Sequence, residues 1–444
     1  MTLLQMESPP LQISSDCGDE DALRGFSAMA NSMEGSAILK VAQEIRDIKS
    51  QGVDVADMTV GDFSPTEFPA PSFLLERIQH YVSEGAVNYP PARGEMALRQ
   101  AIRDTFLREQ AVDYPVESTL VVSGGRPSLY CIYRILTDPG DTVVCPVPSW
   151  NNHNYRDATG IKFQPVMTRK EDAFQPTLDI LMPYLQNARM FVLNTPQNPS
   201  GGVMPKAEVE KIGHFLVEEN ERRRTANEKP LYLLYDQIYR TVLSAGHRHW
   251  SPVQLVPECA PWVIHSDGIS KAFCSTGLRC GWMVAPPAIA AKAASLMTHI
   301  GAWAPKPVQL ATADFLNNED ACRDWHRDMN RRVDERLASL YQILDTLSEE
   351  GFPIECIPPQ GAMYISVKLS VAGKTTSSGE ILEDNETIRS WILKEAAFAL
   401  IPFRAFGVDP SQENGWFRAS VGAVGVEDIE AALPRLRTAL QQLS

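Results

Sequence analysis

Between about residue 70 and residue 325 the chain alternates short, almost unbroken apolar runs with stretches of helical spacing. The runs fall at 120–122, 142–145, 190–193, 231–235, 262–265 and 282–285. A strand with one wet face alternates apolar and polar residues. A strand that is apolar throughout is covered on both faces, and helices between such strands supply the covering layers. The pattern predicts an α/β fold built on a mainly parallel sheet between helices.

Outside that region the pattern changes. From Ala37 the spacing of Ile38, Val41, Ile45 and Ile48 predicts an amphipathic helix that Gly52 ends, followed by a short strand over 55–60 and a break at 61–65. Past 325 a long amphipathic helix to about 350 precedes a strand at 363–367 and helices near 386–400 and 426–442. These segments predict a smaller α+β domain made from both chain ends, 31–64 with 325–444, beside a large domain over 65–324. Residues 1–30 mix Ser, Asp, Glu and Pro without periodicity and read as a mobile leader or arm. Two polar stretches, 218–229 and 372–385, read as solvated surface insertions with no binding role.

Composition removes several classes of function. The chain of 444 residues carries 41 Lys+Arg against 55 Asp+Glu, a net charge of −14. That balance argues against nucleic-acid binding and against docking on an anionic membrane. The eight cysteines form no CxxC pair and read as reduced thiols. No window approaches the roughly 18 apolar residues of a membrane span, and the acidic N-terminus lacks a targeting pattern, so a cytoplasmic protein is expected.

Four segments carry candidate chemistry. In 118–136 (STLVVSGGRPSLYCIYRIL) a strand runs through Gly124-Gly125 into a helix; a turn without Cβ atoms lets backbone N–H groups approach an anion, although a plain strand-to-helix turn has the same look. It is neither a dinucleotide nor a P-loop fingerprint. In Asp267-Gly268-Ile269-Ser270-Lys271-Ala272 a lysine stands at a strand end, and Arg279 follows eight residues later. A lysine beside the core is costly unless its amine is neutral, paired or covalently used. Asp236 closes an apolar strand three residues before Tyr239, where open α/β sheets bind ligands or where an acid simply caps the next helix. Residues 194–202 (NTPQNPSGG) form a Pro- and Gly-fixed loop that can aim the Asn198 amide at a ligand oxygen.

In their order, these elements resemble the class I/II aminotransferases of the fold type I pyridoxal phosphate (PLP) superfamily, over roughly residues 31 to 440. The resemblance is carried by the NxPxNPxG loop, the D-x-x-Y strand end, the SK-x7-R segment and the late arginine in Trp416-Phe417-Arg418-Ala419-Ser420. It implies a seven-stranded sheet and PLP as cofactor, with Lys271 as the lysine that forms the internal aldimine and then moves the substrate proton. It further implies that Asp236 pairs with the pyridine nitrogen and that Asn198 and Tyr239 bind the 3′ oxygen. Gly125, Arg126 through its backbone, and Arg279 hold the phosphate. Trp150 matches the residue stacked on the ring, and His153 the histidine supporting the aspartate. Arg418 resembles the arginine that clamps the substrate carboxylate, and Gly61 falls where the family places a small residue beside it. Tyr89 matches the tyrosine that in this family reaches the phosphate of the neighbouring subunit, so the resemblance implies a homodimer. Gly268 departs from the family by replacing a serine, whose phosphate contact Ser270 is expected to take over.

Arg126 occupies the place where one branch of aspartate aminotransferases carries a lysine for the distal carboxylate. Aspartate or glutamate as amino donor, with 2-oxoglutarate as acceptor, is therefore expected. Aromatic or alanine-type donors, a C–S lyase and a cyclopropane-carboxylate-type synthase use the same core residues. A regulator that appends this fold to a DNA-binding module needs about 60 residues of basic helix-turn-helix ahead of it, and the acidic leader does not supply them.

Overall fold

The protein is described by a computed structural model covering residues 18–33, 35, 37–150 and 152–444, with the side chains of 37–40 left aside. Two compact units result, Met1–Gly35 and Ser36–Ser444. In the first, two short helices span Asp19–Gly25 and Ala28–Ser32, and neither buries a residue. Asp19, Glu20 and Asp21 favour the first through the positive end of its dipole. Ser27 caps the second by accepting the Ala30 N–H at 3.2 Å. The leader expected over 1–30 thus contains local helix from Asp19 onward, and residues 1–17 lie outside the described part.

In chain order the strands of the second unit are β1 Ala56–Asp57, β2 Thr119–Val122, β3 Thr142–Val147, β4 Lys162–Met167, β5 Ala188–Asn194, β6 Tyr232–Asp236, β7 Val263–Gly268, β8 Gly281–Val284, β9 Ile354–Cys356, β10 Tyr364–Leu369, β11 Phe398–Ala399, β12 Ile401–Pro402 and β13 Trp416–Ser420. Seven of them form the main sheet in the order β2-β8-β7-β6-β5-β3-β4. β8 runs antiparallel to β2 and β7, while every other neighbouring pair is parallel. Each of the six expected apolar runs is one of these strands.

Alternation within the strands shows why the runs are unbroken. Phe191 and Leu193 of β5 face one core with Leu98, Ile102 and Phe106 of helix Met96–Gln110 and Val209, Ile212 and Leu216 of helix Lys206–Thr225. Met190 and Val192 face the opposite core, against Leu129, Ile132 and Tyr133 of helix Gly125–Leu136. Both faces are dry, and each buried Val, Leu, Ile or Phe contributes about 1.5–3 kcal/mol. The strand missing from the sequence reading, β4, is an edge strand with only Val166 buried and Pro165 inside it, so it carries neither an apolar run nor alternation.

A four-stranded antiparallel sheet, β12-β13-β10-β9, packs with helices Glu319–Glu349, Asn385–Ala396 and Val426–Gln441 around a separate core. The expected strand over 55–60 shrinks to β1, paired in parallel with β11. Beyond it the Asp57 carboxylate takes the Thr59 N–H at 3.1 Å and turns the chain out of register.

The stretch 218–229 is a helix end and loop with most of its residues exposed, as expected, but it is not wholly solvated. It finishes helix Lys206–Thr225, and Glu219, Asn220 and Arg223 are buried. Arg223 donates to Glu219 at 2.6 Å and to the carbonyls of Ala188, Leu185 and Gln186 at 2.7–3.0 Å, so it satisfies backbone oxygens that the sheet leaves open. The stretch 372–385 is a largely exposed loop, as expected, ending in a capping box at Asp384. The seven described cysteines are free thiols, and Cys17 lies outside the described residues. No described helix is long and apolar enough to cross a membrane.

Candidate active site

The C-terminal ends of β2, β5, β6 and β7 open into one cavity of about 260 Å³. Ten of the thirteen candidate residues line it: Gly61, Gly125, Arg126, Trp150, Asn198, Asp236, Tyr239, Ser270, Lys271 and Arg279. This is the position at which parallel sheets present side chains and helix N-termini to ligands.

Lys271 follows β7 and is largely buried, with 12% of its side chain exposed. Its Nζ donates to the Gly61 carbonyl at 2.6 Å and lies 3.8 Å from Asp62 Oδ1. Burial pulls its pKa down to about 8, with the Arg418 and Arg126 charges acting in the same sense and Asp62 opposing. An amine held there exchanges its proton near neutral pH.

Asp236 ends β6 and is buried, its Oδ1 accepting the Ile238 N–H at 3.2 Å. Burial is the main cause that raises its pKa, to about 7, and the neighbouring Asp267 adds to the rise. A carboxyl so placed gains from a cationic N–H partner. Tyr239 shares a 2.6 Å hydrogen bond between hydroxyls with Tyr364, and burial raises its pKa.

At the opposite end the cavity meets the first turn of helix Gly125–Leu136. Three glycines make that approach possible. A Cβ at Gly124, whose φ is 88°, would fall on the Arg279 guanidinium; one at Gly281 would lie 2.8 Å from the Gly124 carbonyl carbon; one at Gly268 would lie 2.8 Å from Gly281 Cα. Gly268, the departure noted in the sequence, thus has no room for a serine. Ser270 and Ser266 both line the cavity, and Ser266 Oγ is 3.0 Å from Ser128 Oγ. Arg279 is anchored by bonds to the Thr276 and Ser123 carbonyls at 2.6 and 3.1 Å. A helix N-terminus, two hydroxyls and a fixed guanidinium make an anion cradle.

Arg418 lies just behind the cavity wall, in β13 between β12 and β10, and is fully buried. It donates to Asn198 Oδ1 at 3.1 Å and to the Thr59 carbonyl at 2.5 Å, and its planar group faces the Tyr364 and Phe406 rings. Among the described residues it has no carboxylate partner, and its Nε is without a bond. Burial lowers its pKa. A dry, unpaired guanidinium is expensive and strongly favours an incoming carboxylate. A Cβ at Gly61 would come within 3.3 Å of Arg418 Nη1, so a side chain there would crowd the guanidinium. On another wall the Arg126 guanidinium rests 4.9 Å from the Trp150 ring centre.

Two candidates stand apart. The His153 ring is edge-on to Phe163 with centroids 6.5 Å apart and beside Gly407, and among the described residues it makes no hydrogen bond to Asp236. Tyr155, two residues on, is within electrostatic reach of Asp236. Tyr89 is 81% exposed, with its ring centre 5.3 Å from that of Trp303. The sequence reading missed Asp62, Ser266 and Thr276, which line the cavity, and Tyr364 beside it; only the adjacency of Asp62 and Thr276 to Gly61 and the Lys271–Arg279 segment pointed to them.

A buried acid, a lysine of lowered pKa and an anion cradle in one cavity, with an arginine behind its wall that lacks a carboxylate partner among the described residues, fit pyridoxal phosphate and an amino-acid carboxylate. A sequence model described as aminotransferase class I and II matches residues 53–436. The aspartate/prephenate aminotransferase of Thermus thermophilus is 29% identical over 391 residues, covering 87% of this chain and 93% of that protein. The solved structure of the Thermus thermophilus aspartate aminotransferase with maleate superposes with a TM-score of 0.81 at 26% identity, over 94% of this chain and all of that one. That of the aromatic aminotransferase from Pyrococcus horikoshii gives 0.75 at 25% identity, over 89% and 98%. The chain belongs to the class I and II aminotransferases, PLP-dependent enzymes of fold type I that move an amino group between an amino acid and a 2-oxo acid.

Proposed function

We propose that the amino donor is aspartate or glutamate and the acceptor 2-oxoglutarate, with Arg418 taking the α-carboxylate and Arg126 the distal one. The observation that carries this is the pair of guanidinium groups: Arg418 buried without a carboxylate partner among the described residues, and Arg126 held on the cavity wall by Trp150. The relative named for aspartate and prephenate supports the same substrate class.

Pyridoxal phosphate, when bound, supplies an electron-accepting ring. The chain's own residues do the rest. Gly125, the Arg126 N–H, Ser270 and Arg279 hold the phosphate, while Asp236 keeps the pyridine nitrogen protonated. Asn198 and Tyr239 bind the 3′ oxygen and Trp150 covers one face. Lys271 would take the proton from the substrate Cα and deliver it to C4′ of the cofactor. Tyr89 completes the phosphate site of a partner subunit in a homodimer. We also divide the second unit, with 65–324 carrying the cofactor and the unit's residues up to 64, together with 325–444, forming the smaller domain; the separate apolar cores support this. The free thiols support a cytoplasmic setting.

Single-turnover conversion of the PLP-loaded protein, followed by absorbance, tests the donor. Wild type should react with aspartate and glutamate far faster than with alanine at equal concentration. In Arg126→Ala the half-saturating aspartate concentration should rise about 10–100-fold while that for alanine moves less than about threefold. An equal effect on both donors rejects the assignment.

A further inference from the structure

Three groups converge on the backbone of Gly61. Lys271 Nζ donates to its carbonyl at 2.6 Å, Arg418 Nη1 stands 3.3 Å from where a Cβ would be, and the next residue is Asp62. Asp62 Oδ1 lies 3.8 Å from Lys271 Nζ. The carboxylate is held in place: Oδ1 accepts the Phe63 N–H at 2.8 Å and Oδ2 the Thr276 hydroxyl at 2.7 Å. Its side chain is 46% exposed, on the wall of the cavity. The other acid lining the cavity, Asp236, is buried at the end of β6.

An amino acid carries two charges at its Cα, a carboxylate and an ammonium group. A 2-oxo acid carries only the carboxylate. A fixed cation and a fixed anion on either side of one glycine, next to the reacting amine of Lys271, match the amino form and not the oxo form. We infer that Asp62, oriented by Thr276, docks the α-ammonium group of the incoming amino acid and so makes the site favour donors over their oxo products. The inference rests on the aminotransferase reading of the cavity and adds to it a residue that selects the protonation and oxidation form of the substrate. Partial exposure limits the effect, because water screens the pair; the fixed orientation of the carboxylate by Phe63 and Thr276 sustains it.

The test is equilibrium binding to the PLP-loaded protein, read by the absorbance of the bound cofactor, with two probes. 2-Methylaspartate carries both carboxylates and an ammonium group but has no Cα proton to lose. Maleate carries two carboxylates and no amine. Asp62→Asn keeps an acceptor for the Phe63 N–H, reverses the Thr276 bond so that the amide donates to the hydroxyl, and removes the charge. The Kd for 2-methylaspartate should rise about tenfold, the Kd for maleate should hold or fall, and Asp62→Glu should recover part of the lost affinity. In steady state the KM for aspartate should rise with kcat held, and the KM for 2-oxoglutarate should not move. Equal weakening of both probes, or no weakening of 2-methylaspartate, overturns the role of Asp62. A wild type that binds neither probe overturns the reading of the cavity itself, and the inference with it.

Discussion

Lys271 is the residue on which burial and chemistry conflict most directly. With its pKa lowered to about 8 from an ordinary 10.5, the charged amine is destabilising in the folded apoprotein. Below about pH 8 the lysine is protonated in both states and the full penalty applies. Between about 8 and 10.5 the unfolded chain binds the extra proton, so stability rises with pH and the penalty fades. Replacing the lysine removes it at all pH values. Apo Lys271→Met should therefore be more stable than wild type by up to about 3 kcal/mol at pH 7, and this advantage should shrink by pH 10. Thermal denaturation of both apoproteins at the two pH values measures it, and a gap independent of pH contradicts it. Legibility at this scale follows from spacing. Lys271, Asp236, Asn198 and Arg418 stand in motifs whose residue types already imply their chemistry, whereas Asp62 and Thr276 are common residues whose relevance appears only once the chain brings Gly61 against Lys271.

Among the elements, the β7–β8 pair does the most to shape the site. Gly268 and Gly281 face each other in antiparallel register, and the backbone at Gly281 in turn backs onto Gly124 and Gly125. Four glycines in contact bring two strands and a helix start closer than side chains allow, which sets Arg279 against the helix N-terminus. Gly268→Ser should push β8 away, costing about 1–3 kcal/mol in chemical denaturation and weakening PLP binding, because its Cβ has Gly281 Cα at 2.8 Å and Cys280 O at 2.9 Å. Gly277→Ser, where a Cβ meets nothing within 4 Å, should leave both measurements unchanged. The sequence revealed the six strands that are dry on both faces. It concealed β4, which is an edge, and the buried end of helix Lys206–Thr225, where charges at 219 and 223 continue the apolar face of 209, 212 and 216. The helical phase continues that face, but charge alone suggested solvent.

For the whole molecule, a net charge of −14 coexists with a cavity built around Arg126, Lys271, Arg279 and, behind its wall, Arg418. Overall charge describes the surface, while the ligand is recognised by the local field. The least self-sufficient candidate is Tyr89, 81% exposed and outside the cavity of its own chain. If it serves the partner's phosphate site, two inactive variants should repair each other. A Lys271→Ala protomer paired with a Tyr89→Ala protomer makes one site that has both defects and one that has neither. Mixing the two by reversible unfolding should therefore restore about a quarter of wild-type activity, since half of the dimers are mixed and each has one intact site. A tyrosine that acted within its own chain would leave every mixed site defective, and the mixture would stay no more active than Tyr89→Ala alone.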